Sequence, residues 1–237
     1  MDGQVWRERA GSFGAAADVY DRSRPGYPVE AVRFCLPDGA RRVLDLGAGT
    51  GKLTEVLLDL GFDVVAVEPS EAMRALLPAR AETLDGDAEH LPLPDASVDA
   101  VLVGQAFHWF DAEPALAEIA RVLRPGGTLG LLWNLRDESA DWVRDVWASF
   151  ESEPPSMGPE APFADAPGLS DPGHSVFRNS QSLDQDQLVD LVASRSAVIT
   201  LPAQERVDVL RRVRTLAPSD EPFDLDYRTH AWRSTRI

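Results

Sequence analysis

Apolar positions along the chain change their spacing several times, and each change predicts an element. Val43-Leu44-Asp45-Leu46 is a short apolar run that stops at glycines. Such a run, bounded by turn formers, predicts a strand covered on both faces. Residues 50–60 switch to helical spacing, with Leu53, Val56, Leu57 and Leu60 on one side and Gly61 closing the helix. Val64-Val65-Ala66-Val67 is a second apolar strand, and residues 70–77 read as a helix with Ser70 as its N-cap. A short extended piece is expected at Thr83-Leu84, a buried strand at 98–103 and a helix at 113–123. Pro125-Gly126-Gly127 is a turn, and a strand follows at 128–133.

The flanks are less regular. Residues 1–37 read as an irregular or helical N-terminal segment, broken by Pro25, Gly26 and Pro28, with a short helix at 29–36. In the second half, helices are expected at 141–150, 185–194 and 203–216, and strands at 175–181 and 223–233. Residues 152–173 are rich in Pro, Gly, Asp and Ser and read as a surface loop. Strands alternating with helices predict βαβ units and a parallel sheet. The fold class expected is α/β: a Rossmann-like, doubly wound, mostly parallel sheet with an antiparallel C-terminal strand. At 237 residues, one such domain over 38–237 is expected, behind an N-terminal helical lid over 1–37.

Composition narrows the partners. The net charge of −16 disfavours a phosphate backbone as substrate. Arg206, Arg211, Arg212 and Arg214 cluster locally and read as a solvated helix face. No apolar run approaches the length of a membrane span, and residues 1–10 lack a secretory apolar region. Cys35 is the single cysteine, so no internal disulfide or cysteine metal cluster is expected, and a reducing cytoplasm is the expected setting. A monomer or homodimer acting on a small molecule, with no nucleic acid, membrane or metal partner, fits these counts.

The chemistry concentrates in Asp45-Leu46-Gly47-Ala48-Gly49-Thr50-Gly51, between a predicted strand and a predicted helix. Glycines there let the backbone turn sharply and let a ligand approach closely. Glu68 stands at the end of the next strand, 23 positions after Asp45. At that distance, one βα unit on, a carboxylate can accept hydrogen bonds from both hydroxyls of an adenosine ribose. A nicotinamide or flavin site is the rival, but its G-x-G-x-x-G spacing is absent, because the third glycine comes one residue early. Asp45 would also repel a pyrophosphate, whereas it would attract the sulfonium and ammonium of S-adenosylmethionine.

With these residues in place, the stretch from Val43 to Trp133 resembles the class I S-adenosylmethionine-dependent methyltransferases. It is most similar to the small-molecule branch that includes the trans-aconitate methyltransferases. Gly86-Asp87-Ala88-Glu89 resembles the acidic turn after the third strand, where a carboxylate contacts the adenine amino group. The passage Leu91-Pro92-Leu93-Pro94-Asp95-Ala96-Ser97-Val98-Asp99 resembles the lead-in to the fourth strand. Gln105-Ala106-Phe107-His108-Trp109-Phe110 resembles its end, next to the transferable methyl. Leu123-Arg124-Pro125-Gly126-Gly127 resembles the turn into the fifth strand. Phe13, Tyr20, Arg24-Pro25 and Tyr27-Pro28 resemble the N-terminal lid. The resemblance loosens across the C-terminal part.

The resemblance implies cofactor contacts from Tyr20, Arg24, Asp45, Gly47, Ala48, Gly49, Thr50, Gly51, Glu68, Pro69, Met73, Asp87, Ala88, Glu89, Gln105 and Ala106. Phe13, Trp109, Trp133 and Arg136 are the expected acceptor pocket, with Phe107 and Phe110 as further wall or core residues. Arg24 has two readings, as a fork for the cofactor's methionine carboxylate or for an acidic acceptor. His108 is either a general base on the acceptor or a histidine packed at the strand end. The expected reaction is metal-independent, in-line transfer of a methyl group from S-adenosylmethionine to a small acceptor, releasing S-adenosylhomocysteine. The expected acceptor atom is oxygen, a carboxylate being one such group. Intramolecular cyclisation or elimination within the same cofactor stays open as the alternative.

Overall fold

Runs of apolar residues without alternation need cover on both faces, and the chain supplies it by winding helices to either side of one sheet. The computed structural model describes residues 24–150, 163, 166–220 and 222–237. The strands are β1 (Arg42–Leu46), β2 (Asp63–Val67), β3 (Glu82–Leu84), β4 (Val98–Gly104), β5 (Leu123–Arg136), β6 (Gly173–Leu183) and β7 (Phe223–Thr235). Between them run α1 (Val29–Cys35), α2 (Lys52–Asp59), α3 (Glu71–Arg74), α4 (Ala112–Val122), α5 (Asp141–Ala148), α6 (Gln185–Ala193), α7 (Ser196–Ile199) and α8 (Ala203–Leu216). The order across the sheet is β3-β2-β1-β4-β5-β7-β6. β1 to β5 are parallel, and β7 is antiparallel to both its neighbours. This is the expected Rossmann-like sheet with its antiparallel C-terminal strand.

Successive strand residues serve opposite layers. Val43, Val64, Ala100 and Leu102 pack with Ala31, Val32 and Cys35 of α1 and Leu53 and Leu57 of α2. Leu44, Val65, Val101 and Leu129 pack with Ala115 and Ile119 of α4. Helix α1 lies so close to β5 that a side chain on Gly130 would collide with Cys35. The 29–36 helix is therefore part of the core wall, not of a cover. Burial pushes the Cys35 thiol up to about 12, so it stays protonated and inert.

Several features differ from expectation: α7 was not foreseen, and Phe163, Ala166 and Leu169, within the span read as a surface loop, are buried in the core. The helix foreseen over 70–77 is only α3, Glu71–Arg74. Leu76 and Leu77 donate to the carbonyls of Met73 and Arg74, tightening the chain ahead of Pro78, whose ring disfavours helix in the residue before it. β5 begins at Leu123, ahead of the Pro125-Gly126-Gly127 turn. Leu123 pairs with Val98 and Thr128 with Ala100, so the turn loops out within the strand.

A second core lies beyond the sheet. α5, α6, α7 and α8 bury Val146, Trp147, Leu188, Val198 and Val213 against Leu183, Leu225 and Tyr227 of the antiparallel β6–β7 pair. No described helix is long and apolar enough to cross a membrane.

Candidate active site

A parallel sheet with a reversal between β1 and β4 leaves a crevice at the carboxyl ends of its strands. Here that crevice is a cavity of about 800 Å³, at the upper end of ligand-pocket sizes. The chain leaves β1 through three glycines with positive φ: +70° at Gly47, +58° at Gly49 and +98° at Gly51. The N–H groups of Gly47 and Ala48 both donate to the Val67 carbonyl, at 2.9 and 3.1 Å, which locks the loop to β2.

Each glycine answers a different need. A Cβ on Gly47 would sit 2.7 Å from the Ala106 Cβ, and one on Gly51 2.7 Å from Pro78 Cδ. A Cβ on Gly49 would meet nothing within 4 Å. Gly47, Ala48, Gly49 and Thr50 line the cavity, but Gly51 does not. Gly51 is instead backed against Leu77 and Pro78 and starts α2. Gly47→Ala is therefore expected to cost about 2 kcal/mol or more, from left-handed strain plus collision. Gly49→Ala costs only the backbone part, roughly 1 kcal/mol. Thermal melting of both variants checks this, and equal melting points would contradict it.

Two acids flank the loop. Asp45 is 1% exposed and accepts a 2.6 Å hydrogen bond from the Thr54 hydroxyl. Burial, reinforced by the charge on Glu68, pushes its carboxyl up to about 7. Glu68 is 6% exposed and each of its oxygens accepts a backbone N–H, from Gly49 and from Ser70, both at 2.9 Å. Burial raises its pKa, opposed by those two hydrogen bonds and by the nearby Arg74. The sequence pointed to Glu68 as a ligand acceptor; its role as a latch between the glycine loop and the start of α3 needed the structure. Pro69 and Met73 follow it into the cavity wall.

The next wall comes from the turn after β3 and the loop after β4. Asp87 pairs with His90 Nδ1 at 3.0 Å, Ala88 is buried, and Glu89 accepts the Asp111 N–H at 2.7 Å. Gln105 stands in left-handed backbone at φ +55°, a conformation rarely held without a local reason. Its side-chain oxygen accepts the Asn134 N–H at 2.6 Å, tying β4 to β5. Ala106 fills the space above Gly47. His108 lies in a short 3-10 turn, Phe107–Trp109. Its ring centroid is 4.4 Å from that of Trp109 and 5.0 Å from that of Trp133. The ring is open to the cavity, yet crowding by its walls lowers the pKa, which favours the neutral imidazole. Trp109, Phe110 and Trp133 line the cavity, whereas Phe107 is core, edge-on to Phe110 and Phe163.

The far side is basic. Arg24 and Arg136 both line it. The Arg136 guanidinium lies 4.4 Å over the Trp147 ring and 3.2 Å from Glu138. Gly26, two residues after Arg24, is held by the side-chain amides of Asn134 and Asn179, at 3.1 and 2.8 Å. Thr229 completes this network by donating to Asn134 Oδ1. Trp147, Arg195 and Tyr227 also line this side, and sequence reasoning did not single them out. Phe13 and Tyr20 lie outside the described residues.

A methyltransferase domain model matches residues 44–131. The chain is 50% identical over 218 residues to an uncharacterized methyltransferase of Mycobacterium tuberculosis, covering 89% of this chain and 87% of that one. It is 34% identical over 145 residues to a malonyl-[acyl-carrier protein] O-methyltransferase of Pectobacterium atrosepticum, covering 58% and 57%. In fold it is similar to a provisionally assigned type II methyltransferase of Anaeromyxobacter dehalogenans, with a TM-score of 0.66 at 23% identity, over 90% of this chain and 97% of that one. A likeness that runs at 50% identity through nearly nine-tenths of both chains, carried on this sheet order, makes the chain a member of the class I S-adenosylmethionine-dependent methyltransferases.

Proposed function

We propose that the chain transfers a methyl group from S-adenosylmethionine to an oxygen of a small-molecule acceptor in this cavity. The observation that carries the reading is the acidic cradle: Asp45 and Glu68, both buried, on either side of a loop whose Gly49 leaves open space. Two carboxylates suit a ligand with a sulfonium and an ammonium, and are ill-suited to a pyrophosphate. Glu68, already accepting one N–H on each oxygen, has further lone pairs for the ribose hydroxyls. Asp87, Ala88 and Glu89 would border the adenine, and Gln105 and Ala106 the reacting end. S-adenosylmethionine supplies a methyl carbon already activated by positive sulfur, taken in line by the acceptor atom. His108, whose pKa is held down by the crowding of its neighbours, would take a proton from a hydroxyl acceptor, while a carboxylate acceptor needs no base. The O-methyltransferase name of the Pectobacterium relative supports oxygen, and the resemblance to the trans-aconitate branch supports a carboxylate.

Methyl-labelled S-adenosylmethionine incubated with enzyme and a small-metabolite extract tests this. S-adenosylhomocysteine and label in a small product are expected. Methylthioadenosine above the enzyme-free control, without S-adenosylhomocysteine, would instead establish intramolecular chemistry.

A further inference from the structure

Charge is divided across the cavity. Among the described residues that line it, every carboxylate comes from residues 45–111, around the carboxyl ends of β1, β2 and β3 and the loop after β4. The lining arginines come from elsewhere: Arg24 ahead of α1, Arg136 at the end of β5 and Arg195 after α6. The strand order places β2 and β1 on one side of β4, and β5 and β7 on the other. One side therefore carries the acids, together with Lys52 at the start of α2, and the opposite side carries the guanidiniums.

Three separate parts of the fold assemble the basic side. Arg136 of β5 stands in register with Tyr227 of β7. Arg24 Nη2 donates to the Ser194 carbonyl at 3.3 Å, beside Arg195. Arg24, Arg195 and Arg136 all act by charge on the Tyr227 phenol. Burial outweighs them and holds that phenol up at about 12, so it keeps its proton; the O–H donates to Gln181 Oε1 at 3.4 Å, a long bond that an anion's oxygen can replace. The Arg136 side chain is 5% exposed, its guanidinium carbon lies 4.4 Å from the Trp147 ring centroid, and Glu138 pairs with one of its nitrogens at 3.2 Å, meeting part of its charge.

We propose that Arg136, Arg195 and Tyr227, with Arg24 beside them, form a subsite that holds an anionic group, carboxylate or phosphate, of the methyl acceptor. Guanidinium forks and a phenolic donor match the oxygens of such a group, and a cationic acceptor is repelled. A group clamped there has its charge neutralised and is a poor nucleophile. The clamped group is thus a handle, and a second atom of the acceptor, nearer Ala106 and His108, receives the methyl. This rests on the methyl-transfer reading of the same cavity.

The test uses phenylacetate, phenylphosphonate and the uncharged phenylacetamide, titrated calorimetrically into protein saturated with S-adenosylhomocysteine. At least one acid is expected to bind and the amide not, and the tighter acid identifies the head group. Loss of one charged hydrogen bond should weaken the acid about ten-fold in Arg195→Gln. Arg195→Lys should fall between Arg195→Gln and wild type, and Tyr227→Phe, which keeps the ring packing, should lose about three-fold. Both Arg195 variants should bind S-adenosylhomocysteine as wild type does. No binding by either acid, equal binding by the amide, or wild-type acid affinity in both Arg195→Gln and Tyr227→Phe overturns the proposal. Absence of S-adenosylhomocysteine binding by the wild type would strike the methyl-transfer reading instead, with acid binding still measurable alone.

Discussion

Glu68→Ala is expected to weaken S-adenosylhomocysteine binding roughly ten- to hundred-fold while leaving the protein folded. The wild-type carboxylate does two jobs that alanine cannot. It accepts the N–H groups of Gly49 and Ser70, holding the glycine loop against the start of α3. In the proposed function it also offers its remaining lone pairs to the ribose. Losing a hydrogen bond to a charged group costs roughly 1.5–3 kcal/mol, which sets the range. Folding suffers less, because the change also removes a carboxylate that burial disfavours. Glu68→Gln separates the two jobs. Its amide oxygen serves one N–H, but its NH2 group faces the other donor, so intermediate affinity is expected. Calorimetry with S-adenosylhomocysteine, beside thermal melting, reads both. Unchanged affinity in the alanine variant would remove Glu68 from the site.

The glycine loop, Asp45 and Glu68 were legible because they are local signals: a strand period, a turn composition and a spacing of one βα unit. Four of the five parallel strands were legible for the same reason, as apolar runs, whereas β3, Glu82–Leu84, was foreseen only as a short extended piece. What escaped the sequence depends on distant pairing. Tyr227 reaches the cavity because β7 returns antiparallel beside β5 and sets it opposite Arg136, and Arg195 comes from the turn between α6 and α7. Arg24 meets the Ser194 carbonyl across 170 residues. No window of sequence contains those neighbours. Gly51 shows the opposite case. Its glycine identity was visible, but whether it answers a ligand or Pro78 depends on packing against a residue 27 positions away. The acidity of Asp45 was likewise invisible, since sequence shows a carboxylate and only burial sets whether it is charged.

That acidity gives the second large effect. A carboxyl held at about 7 when folded, against about 4 when unfolded, penalises the folded state once the pH is high enough to strip the unfolded chain. Below about pH 4 the group is protonated in both states and contributes nothing. Between about 4 and 7 the unfolded chain has released the proton and the folded chain has not, so stability falls as pH rises. Above about 7 the penalty is complete, roughly 4 kcal/mol for three pKa units. Asp45→Asn keeps an oxygen for the Thr54 hydroxyl and removes the titration. The ligand-free variant should therefore gain melting temperature over wild type as pH goes from 5 to 8. Binding should move the other way. A cationic ligand selects the ionised Asp45, so wild-type affinity for S-adenosylmethionine should rise roughly ten-fold between pH 6 and 8, with proton release near pH 7. The variant should bind more weakly and show a flat profile. Calorimetry in two buffers of different ionisation enthalpy measures the released proton. A flat wild-type profile with no proton release would mean that Asp45 keeps its charge in the free protein or never meets the ligand.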